Sequence, residues 1–183
     1  MVYLKNEKYF PKDASSILSL CRSTLQEVNI IIRDVRVASQ FLELDISIKT
    51  LSDKNKISSN LSKIAPVLEI DRIVEKEFDK KEAVALARQL FNNEKYWKTH
   101  EVLEAVWKIT VGEERDLLNG IILVAAALVH YQKGELAICI SIMKRALVKL
   151  DKSYGKYYDI DIESLKRRVT DMVNSNTVSN IKI

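Results

Sequence analysis

The stretch FLELDISIK at residues 41–49 decides the fold class of the first part of the chain. Leucine or isoleucine occupies each even position, whereas Glu43, Asp45 and Lys49 lie at odd positions. Because the side chains of a strand alternate between its two faces, this pattern predicts a strand with one apolar and one polar face. The β-branched run at residues 28–37 and the short link after it predict an antiparallel hairpin with this strand.

The neighbouring segments complete a split βαβ pattern. Residues 2–4 and 67–74 have the composition of two further strands. Asp13 can cap one intervening helix, and residue 52 or 53 can cap the other. We therefore predict a ferredoxin-like module, with the order β-α-β-β-α-β, at residues 1–75. That fold serves many functions, so it does not identify one.

The polar face of this predicted sheet is acidic. It carries Glu43, Asp45, Glu69 and Asp71. Such a face repels phosphate, and an RNA-binding sheet needs exposed aromatic side chains in a basic surround. We therefore expect the face to be covered by another domain or subunit rather than to bind RNA.

From residue 79 onward the apolar spacing becomes helical. Asp79 and Glu82 have the spacing of a capping box. The periodicity then predicts five helices, at residues 80–92, 95–109, 113–133, 135–150 and 161–173. An apolar run inside the third helix is too short to cross a membrane, so no membrane contact is expected. The predicted fold class is α+β: the ferredoxin-like module, an all-α helical bundle at residues 79–175 and a polar tail at 176–183.

The charge of the chain argues against a dedicated nucleic-acid-binding protein. The 183 residues include 29 Lys and Arg against 25 Asp and Glu, a net charge of +4. Nucleic-acid binding usually requires a stronger basic footprint and is the weakest hypothesis. It would use the basic clusters near helix ends, namely Lys144, Arg145, Lys149, Lys166, Arg167 and Arg168.

The cysteines and the first residues indicate a cellular location. Cys21 and Cys139 lie in separate apolar segments, with no C-x-x-C spacing, which is typical of buried thiols in a reducing compartment. The first five residues lack the pattern of a secretion signal. We therefore expect a cytoplasmic protein, and its high lysine content is typical of thermophile proteins.

The segment at residues 91–107 contains the polar and aromatic side chains that are typical of a functional site. His100 and Glu104 are four residues apart, so on a helix they are neighbours on one face. Both tryptophans of the chain, Trp97 and Trp107, lie in the same segment. The segment therefore combines a polar pair with the aromatic side chains that can form a wall beside it.

The following helix adds further polar residues to this motif. If the two helices pack antiparallel about their connecting turn, Glu104, Arg115 and Asn119 can meet between them. Glu101 is expected mainly on the solvated side of its helix. Gly120 lies inside an apolar helix, where glycine costs about 1 kcal/mol relative to alanine, so it predicts close helix packing or room for a ligand.

These residues resemble the domain-of-unknown-function family 309. The family pattern F-N-x-G-x-Y-[WF]-x-x-H-E-x-L-E-x-x-W is followed by G-x-x-R and by an apolar helix with a downstream histidine and glycine. The matching positions are Phe91, Asn92, Tyr96, Trp97, His100, Glu101, Leu103, Glu104, Trp107, Gly112, Arg115, Gly120, His130 and Gly134. The chain departs from the pattern at Glu94, where the family has glycine, and at Asn119 and Leu123, where it often has glutamine. The resemblance covers residues 86–150 and implies a helical domain without an agreed activity.

Three interpretations of the candidate polar site remain open. The favoured one is a structural network in which Glu104 pairs with Arg115 and His100 donates to Glu104 or to a backbone carbonyl. The second is a small-molecule pocket with a wall of Tyr96, Trp97, Trp107 and Gly120. The third is a metal or acid–base site, although His100 and Glu104 supply only two ligands, so no metal and no cofactor is assigned. The polar site itself comprises His100, Glu101, Glu104, Arg115 and Asn119.

The functional expectation follows from an incomplete catalytic set. No G-x-G-x-x-G, P-loop or nucleophile-elbow motif occurs. We expect a non-enzymatic ligand-binding or protein-interaction and regulatory module, whose partner is a small molecule or a second copy of the chain. The alternative is a hydrolase-like enzyme, with or without a metal, in which His100 is the acid or base, Glu104 orients it and Arg115 binds an anion.

Overall fold

The computed structural model describes residues 1–26, 30–48, 54–71 and 79–183. Within these residues the chain is a mixed α/β protein, mostly helical, with seven α-helices and a four-stranded antiparallel sheet. Contacts between Cα atoms divide it into two units. The first comprises Met1–Glu75 with Gln132–Gly134, and the second comprises Lys76–Tyr131 with Glu135–Ile183.

The first unit contains the sheet and two helices. Its elements are β1 (Val2–Lys5), a 3-10 turn (Pro11–Asp13), α1 (Ala14–Thr24), β2 (Ile30–Val37), β3 (Phe41–Ile48), α2 (Lys54–Leu61) and β4 (Val67–Ile70). The strands lie in the order β2-β3-β1-β4, and each neighbouring pair is antiparallel. The predicted hairpin of β2 and β3 is confirmed, with Val37 opposite Leu42.

The alternation in β3 separates an apolar core from a charged face. Leu42 and Leu44 are buried together with apolar side chains of α1 and α2. On the other face, Tyr3, Arg36 and Glu43 are each only 2% exposed. Arg36 pairs with Glu43 across the two strands, and burial, with the Glu43 charge as a second cause, raises the pKa of Tyr3. The predicted acidic face thus includes a buried ion pair, which the alternation pattern alone does not indicate.

Local details of the first unit differ from the sequence predictions. The Asp13 carboxylate accepts a hydrogen bond from the backbone N–H of Phe10 at 2.8 Å and makes no capping bond to α1. It therefore closes the 3-10 turn instead of capping the helix, a correction to the prediction. The predicted caps at residues 52–53 and the predicted strand residues 28–29, 49 and 72–74 lie outside the described residues.

The second unit contains the five predicted helices. They are α3 (Lys80–Asn92), α4 (Tyr96–Ile109), α5 (Gly112–Gln132), α6 (Leu136–Leu150) and α7 (Ile162–Ser175). Each lies within two residues of its prediction. A short hairpin of β5 (Lys156–Tyr157) and β6 (Ile160–Asp161), which the sequence analysis missed, precedes α7.

The ends of the helical unit show how the sequence sets its boundaries. The Asp79 carboxylate accepts the backbone N–H of Glu82 at 2.8 Å, so the predicted cap of α3 is confirmed. Residues 176–183 were expected to be a polar tail, but Ile181 and Ile183 are buried in the core of this unit. The Asn92 side chain holds this segment by two hydrogen bonds with the backbone of Ile183, at 3.0 and 2.8 Å.

Within the described residues, no helix is long and apolar enough to cross a membrane.

Candidate polar site on helix α4

The inward stripe of α4 fixes which residues face outward. Tyr96, Thr99, Leu103 and Val106 are buried. The Tyr96 ring packs edge-on against Phe91, with 5.0 Å between ring centres. This spacing of three or four residues places the stripe on one face of the helix. His100 and Trp107 lie outside this buried stripe.

Tyr96 therefore belongs to the core and not to a ligand wall. Its hydroxyl donates to the side-chain oxygen of Asn180 at 3.1 Å, and burial raises its pKa. Thr99 is fully buried, and its hydroxyl donates to the backbone oxygen of Lys95 at 3.1 Å. These contacts hold the first turns of α4 in place beneath the polar residues on its outer side.

Three of the predicted site residues do come together on that outer side, and we call His100, Glu101 and Glu104 the α4 cluster. The Nδ1 atom of His100 lies 3.6 Å from Glu101 Oε1 and 3.8 Å from Glu104 Oε2. One donor atom from each residue lies within 4.8 Å of the other two. The side chains are 26%, 49% and 36% exposed, in sequence order, so solvent reaches the cluster.

The imidazole of His100 lacks a hydrogen bond at one nitrogen. Nδ1 is buried and has no hydrogen-bond partner among the described residues. Both carboxylate oxygens beside it are beyond the usual length of a hydrogen bond to nitrogen. Trp97 holds the ring by stacking, with 5.8 Å between ring centres and 15° between the planes. The ring is thus oriented by an aromatic neighbour and not by a hydrogen bond at Nδ1.

The remaining predicted polar residues lie outside the cluster. The guanidinium carbon of Arg115 lies 4.3 Å from the centre of the Trp107 ring. Glu104 is 3.4 Å from the ammonium group of Lys108, one turn along the same helix, and it makes no ion pair with Arg115 within the described part of the chain. Asn119 has no side-chain hydrogen bond to any described residue. The predicted ion pair of Glu104 with Arg115 is therefore absent from the described residues, since Glu104 pairs with Lys108 and Arg115 lies on the Trp107 ring.

Gly120 serves helix packing. A Cβ atom added there would lie 2.5 Å from Cγ of Leu150. The glycine therefore lets α5 approach α6, and the space beside it is filled by a side chain. Gly120 therefore does not belong to a ligand wall, which corrects the prediction from the sequence.

The second histidine has a separate partner. His130 Nδ1 lies 2.5 Å from Glu135 Oε2, at the turn between α5 and α6. The backbone N–H of Glu135 also donates to the His130 carbonyl at 2.9 Å. Each histidine therefore has its own carboxylate neighbours, and only His100 keeps Nδ1 without a bond.

Two cavities of the described residues lie away from α4. One is lined by Lys8, Tyr9, Asp13, Ser16, Ile17 and Leu20. The other is lined by Arg167, Arg168, Asp171, Met172, Ser175, Thr177 and Ser179. Neither cavity includes a residue of the α4 cluster, whose carboxylates are partly exposed, and the small-molecule pocket stays a prediction.

Glu101 was expected on the solvated side of its helix, and its side chain is 49% exposed. One feature beside the cluster was not predicted. Glu94 has φ 59°, a left-handed conformation. The glycine at this position of the family pattern was the signal for that conformation, because glycine adopts it without strain.

Comparison with known proteins bears out the resemblance inferred from the 91–107 motif. The model of a domain of unknown function (DUF309) matches residues 84–142, a span that includes all of α4. No curated protein matches the chain. Among solved structures, the chain is similar to a conserved hypothetical protein from Thermus thermophilus. The identity is 29%, the TM-score is 0.43, and the match covers 54% of this chain and 99% of the other.

Proposed function

We propose that the helical unit is a non-enzymatic binding module and that its ligand binds at the α4 cluster. The observation that carries this proposal is the buried Nδ1 of His100, which has no hydrogen bond and faces two partly exposed carboxylates. Solvent reaches the two carboxylates, and a ligand reaches the buried nitrogen once these partly exposed side chains rotate.

The competing structural interpretation requires bonds that are missing. Buried polar groups in folded proteins are nearly always hydrogen-bonded, and leaving one unbonded costs about 1–3 kcal/mol. A network that fixed the helices would pair Glu104 with Arg115, but Arg115 lies on Trp107. The unbonded Nδ1 of His100 therefore contributes no stability to the fold, which is typical of a group kept for binding.

A stability comparison separates these interpretations without knowledge of the ligand. His100→Phe keeps a ring to stack on Trp97 and removes the unbonded nitrogen, and Glu104→Gln removes one charge. We expect the free energy of unfolding of each variant to lie within about 0.5 kcal/mol of the wild-type value or to exceed it. The matched control is Asp79→Ala, which removes a helix cap and should lose about 1 kcal/mol.

A large loss of stability in these variants would contradict the proposal. If the free energy of unfolding falls by about 1.5 kcal/mol or more in both His100→Phe and Glu104→Gln, measured by urea denaturation, the cluster is a structural network. The binding proposal would then fail, whatever ligands were tried.

A hydrolase-like enzyme is the second candidate. It is favoured by one observation, the stacking of His100 on Trp97, which would hold an acid–base group in a fixed orientation. The anion-binding role first assigned to Arg115 has less support, because its guanidinium already lies on Trp107. The enzyme proposal predicts cleavage of chromogenic ester or phosphate substrates that disappears in His100→Phe, and equal rates for both proteins would reject it.

Interaction with a second copy of the chain is proposed on different residues. Ile109 and Val111, at the turn between α4 and α5, are each 78% exposed, which favours a contact surface. Light scattering should show a dimer that Ile109→Ser weakens, and a wild-type monomer at every concentration would reject this proposal.

The hypothesis of nucleic-acid binding has the least support, because Lys149 of the basic clusters already pairs with Asp116 at 2.8 Å.

Two further proposals concern the fold and the location of the protein. A ferredoxin-like assignment of the first unit is supported by the element order β-α-β-β-α-β and by the strand order β4-β1-β3-β2. A cytoplasmic location is supported by the two free, buried cysteines. Burial raises the pKa of the Cys21 thiol to about 11, as expected for a thiol that serves packing and not chemistry.

A further inference from the structure

The geometry points to a divalent transition-metal ion as the ligand of the α4 cluster, with Zn²⁺ as the reference ion. This inference rests on the proposed binding function and names the chemical class of its ligand. His100 would contribute Nδ1, and Glu101 and Glu104 would each contribute one carboxylate oxygen.

The donor set selects the class of ion. One imidazole nitrogen with two carboxylate oxygens suits Zn²⁺ and neighbouring first-row metals. Ca²⁺ and Mg²⁺ prefer six or more oxygen ligands, which the α4 cluster does not provide. The cluster should therefore discriminate between these two groups of ions.

The distances fit this class of ion after small side-chain movements. Bonds of about 2.1 Å in tetrahedral geometry place donor atoms about 3.4 Å apart. The His100 nitrogen already lies 3.6 and 3.8 Å from the two carboxylate oxygens. Glu101 and Glu104 are partly exposed, so their side chains can rotate to close the remaining distance between their oxygens.

Binding would use an atom that has no other partner. Because Nδ1 of His100 has no hydrogen bond among the described residues, its coordination breaks no hydrogen bond, and the one ion pair that coordination must displace is the contact of Glu104 with Lys108. The stacked Trp97 ring restricts the imidazole, which lowers the entropy lost on binding. All three ligands lie on α4, and a site on one helix is held more firmly than one on a loop.

The charge of the cluster also favours a cation. Two carboxylates face the site, and the one cation that pairs with them within the described residues is Lys108, 3.4 Å from Glu104. Three protein ligands leave at least one coordination position for water or for a further ligand. Removal of the Lys108 charge should therefore strengthen metal binding.

Calorimetric titration of the tag-free full chain with ZnCl₂ tests the inference. We expect one Zn²⁺ per chain at the cluster, with at least tenfold weaker binding in His100→Phe and in Glu104→Gln. The matched control is His130→Phe, which removes the other histidine and should keep the wild-type affinity at this site. Lys108→Met should bind about two to five times more tightly, the gain from losing an exposed competing charge. MgCl₂ and CaCl₂ should bind at least tenfold more weakly than ZnCl₂.

Two results would overturn the inference. One is the absence of a one-to-one Zn²⁺ site in the wild type, and the other is unchanged Zn²⁺ affinity in His100→Phe with its fold verified by circular dichroism. If Zn²⁺ fails to bind while His100→Phe and Glu104→Gln keep wild-type stability, the inference of a metal ligand is wrong but the proposed binding function stands. If those variants unfold much earlier, the proposed function fails as well.

Discussion

Arg115 lies over the ring of Trp107, with 4.3 Å from the guanidinium carbon to the ring centre. This contact joins α4 to α5 and holds Arg115 on an aromatic face. A cation over an aromatic ring at a partly exposed position contributes about 0.5–1 kcal/mol. We expect Arg115→Ala to lower the free energy of unfolding by that amount in urea denaturation. The stability of Arg115→Lys should lie between those of the wild type and Arg115→Ala, because lysine keeps the charge but lacks the planar group. Equal stability of all three proteins would show that the stack has no energetic role.

Gly120 and Leu150 provide a test of helix packing. Alanine normally stabilises a helix relative to glycine, but a methyl group at residue 120 would lie 2.5 Å from Leu150 Cγ. We expect Gly120→Ala to lose about 1–3 kcal/mol, the usual effect of overpacking. In a Leu150→Ala background the same change should be neutral or stabilising. A double-mutant cycle measures this coupling, and additive effects would contradict the close approach.

Glu94 provides a test of backbone strain. Its φ of 59° is a left-handed conformation, which costs a residue with a Cβ atom about 1–2 kcal/mol. Its carboxylate also accepts a hydrogen bond from Asn180 at 2.5 Å, so a single substitution would mix two effects. Glu94→Gly and Glu94→Ala both lose the carboxylate, and we expect the glycine variant to be more stable by about 1 kcal/mol. Thermal denaturation that ranks alanine above glycine would show that the left-handed turn is wrong.

Lys80 and Glu114 predict a pH dependence of stability. The hydrogen bond from Lys80, at 2.9 Å, lowers the pKa of Glu114 below its ordinary value of 4.5, and the Tyr157 hydroxyl adds to this effect. A carboxyl whose pKa is lowered in the folded state stabilises the fold above its unfolded pKa, and that contribution is lost as the pH falls through the lowered value.

We therefore expect Lys80→Met to be less stable than the wild type at neutral pH, with the difference disappearing at an acid pH below the lowered pKa of Glu114. The matched control is Lys81→Met, because Lys81 has no ion pair with a described residue. Urea denaturation at both pH values measures the effect. A difference that persists unchanged at low pH would mean that Lys80 acts through packing and not through the Glu114 charge.

The regular elements were predictable because their signals are local. The alternation in residues 41–49 and the cap at Asp79 each act over a few residues, and both are confirmed in β3 and α3. The β5–β6 hairpin escaped prediction because two-residue strands carry no periodicity.

The side-chain contacts of the site were less predictable because they depend on which of several neighbours is nearest. Spacing correctly placed His100 beside Glu104, since residues four apart on a helix are neighbours. Spacing could not show that Arg115 prefers the face of Trp107 or that Leu150 fills the space beside Gly120. Those choices depend on the relative placement of two helices, which a single-helix pattern does not contain.

Nitrogen NMR of the two histidine side chains shows whether His100 holds a ligand through Nδ1. On addition of one equivalent of Zn²⁺, we expect a large change in the chemical shift of His100 Nδ1. His130 Nδ1, which is already bonded to Glu135, should stay unchanged. A His100 Nδ1 signal that does not move, or a change confined to His130, would mean that His100 does not bind the ion through this atom.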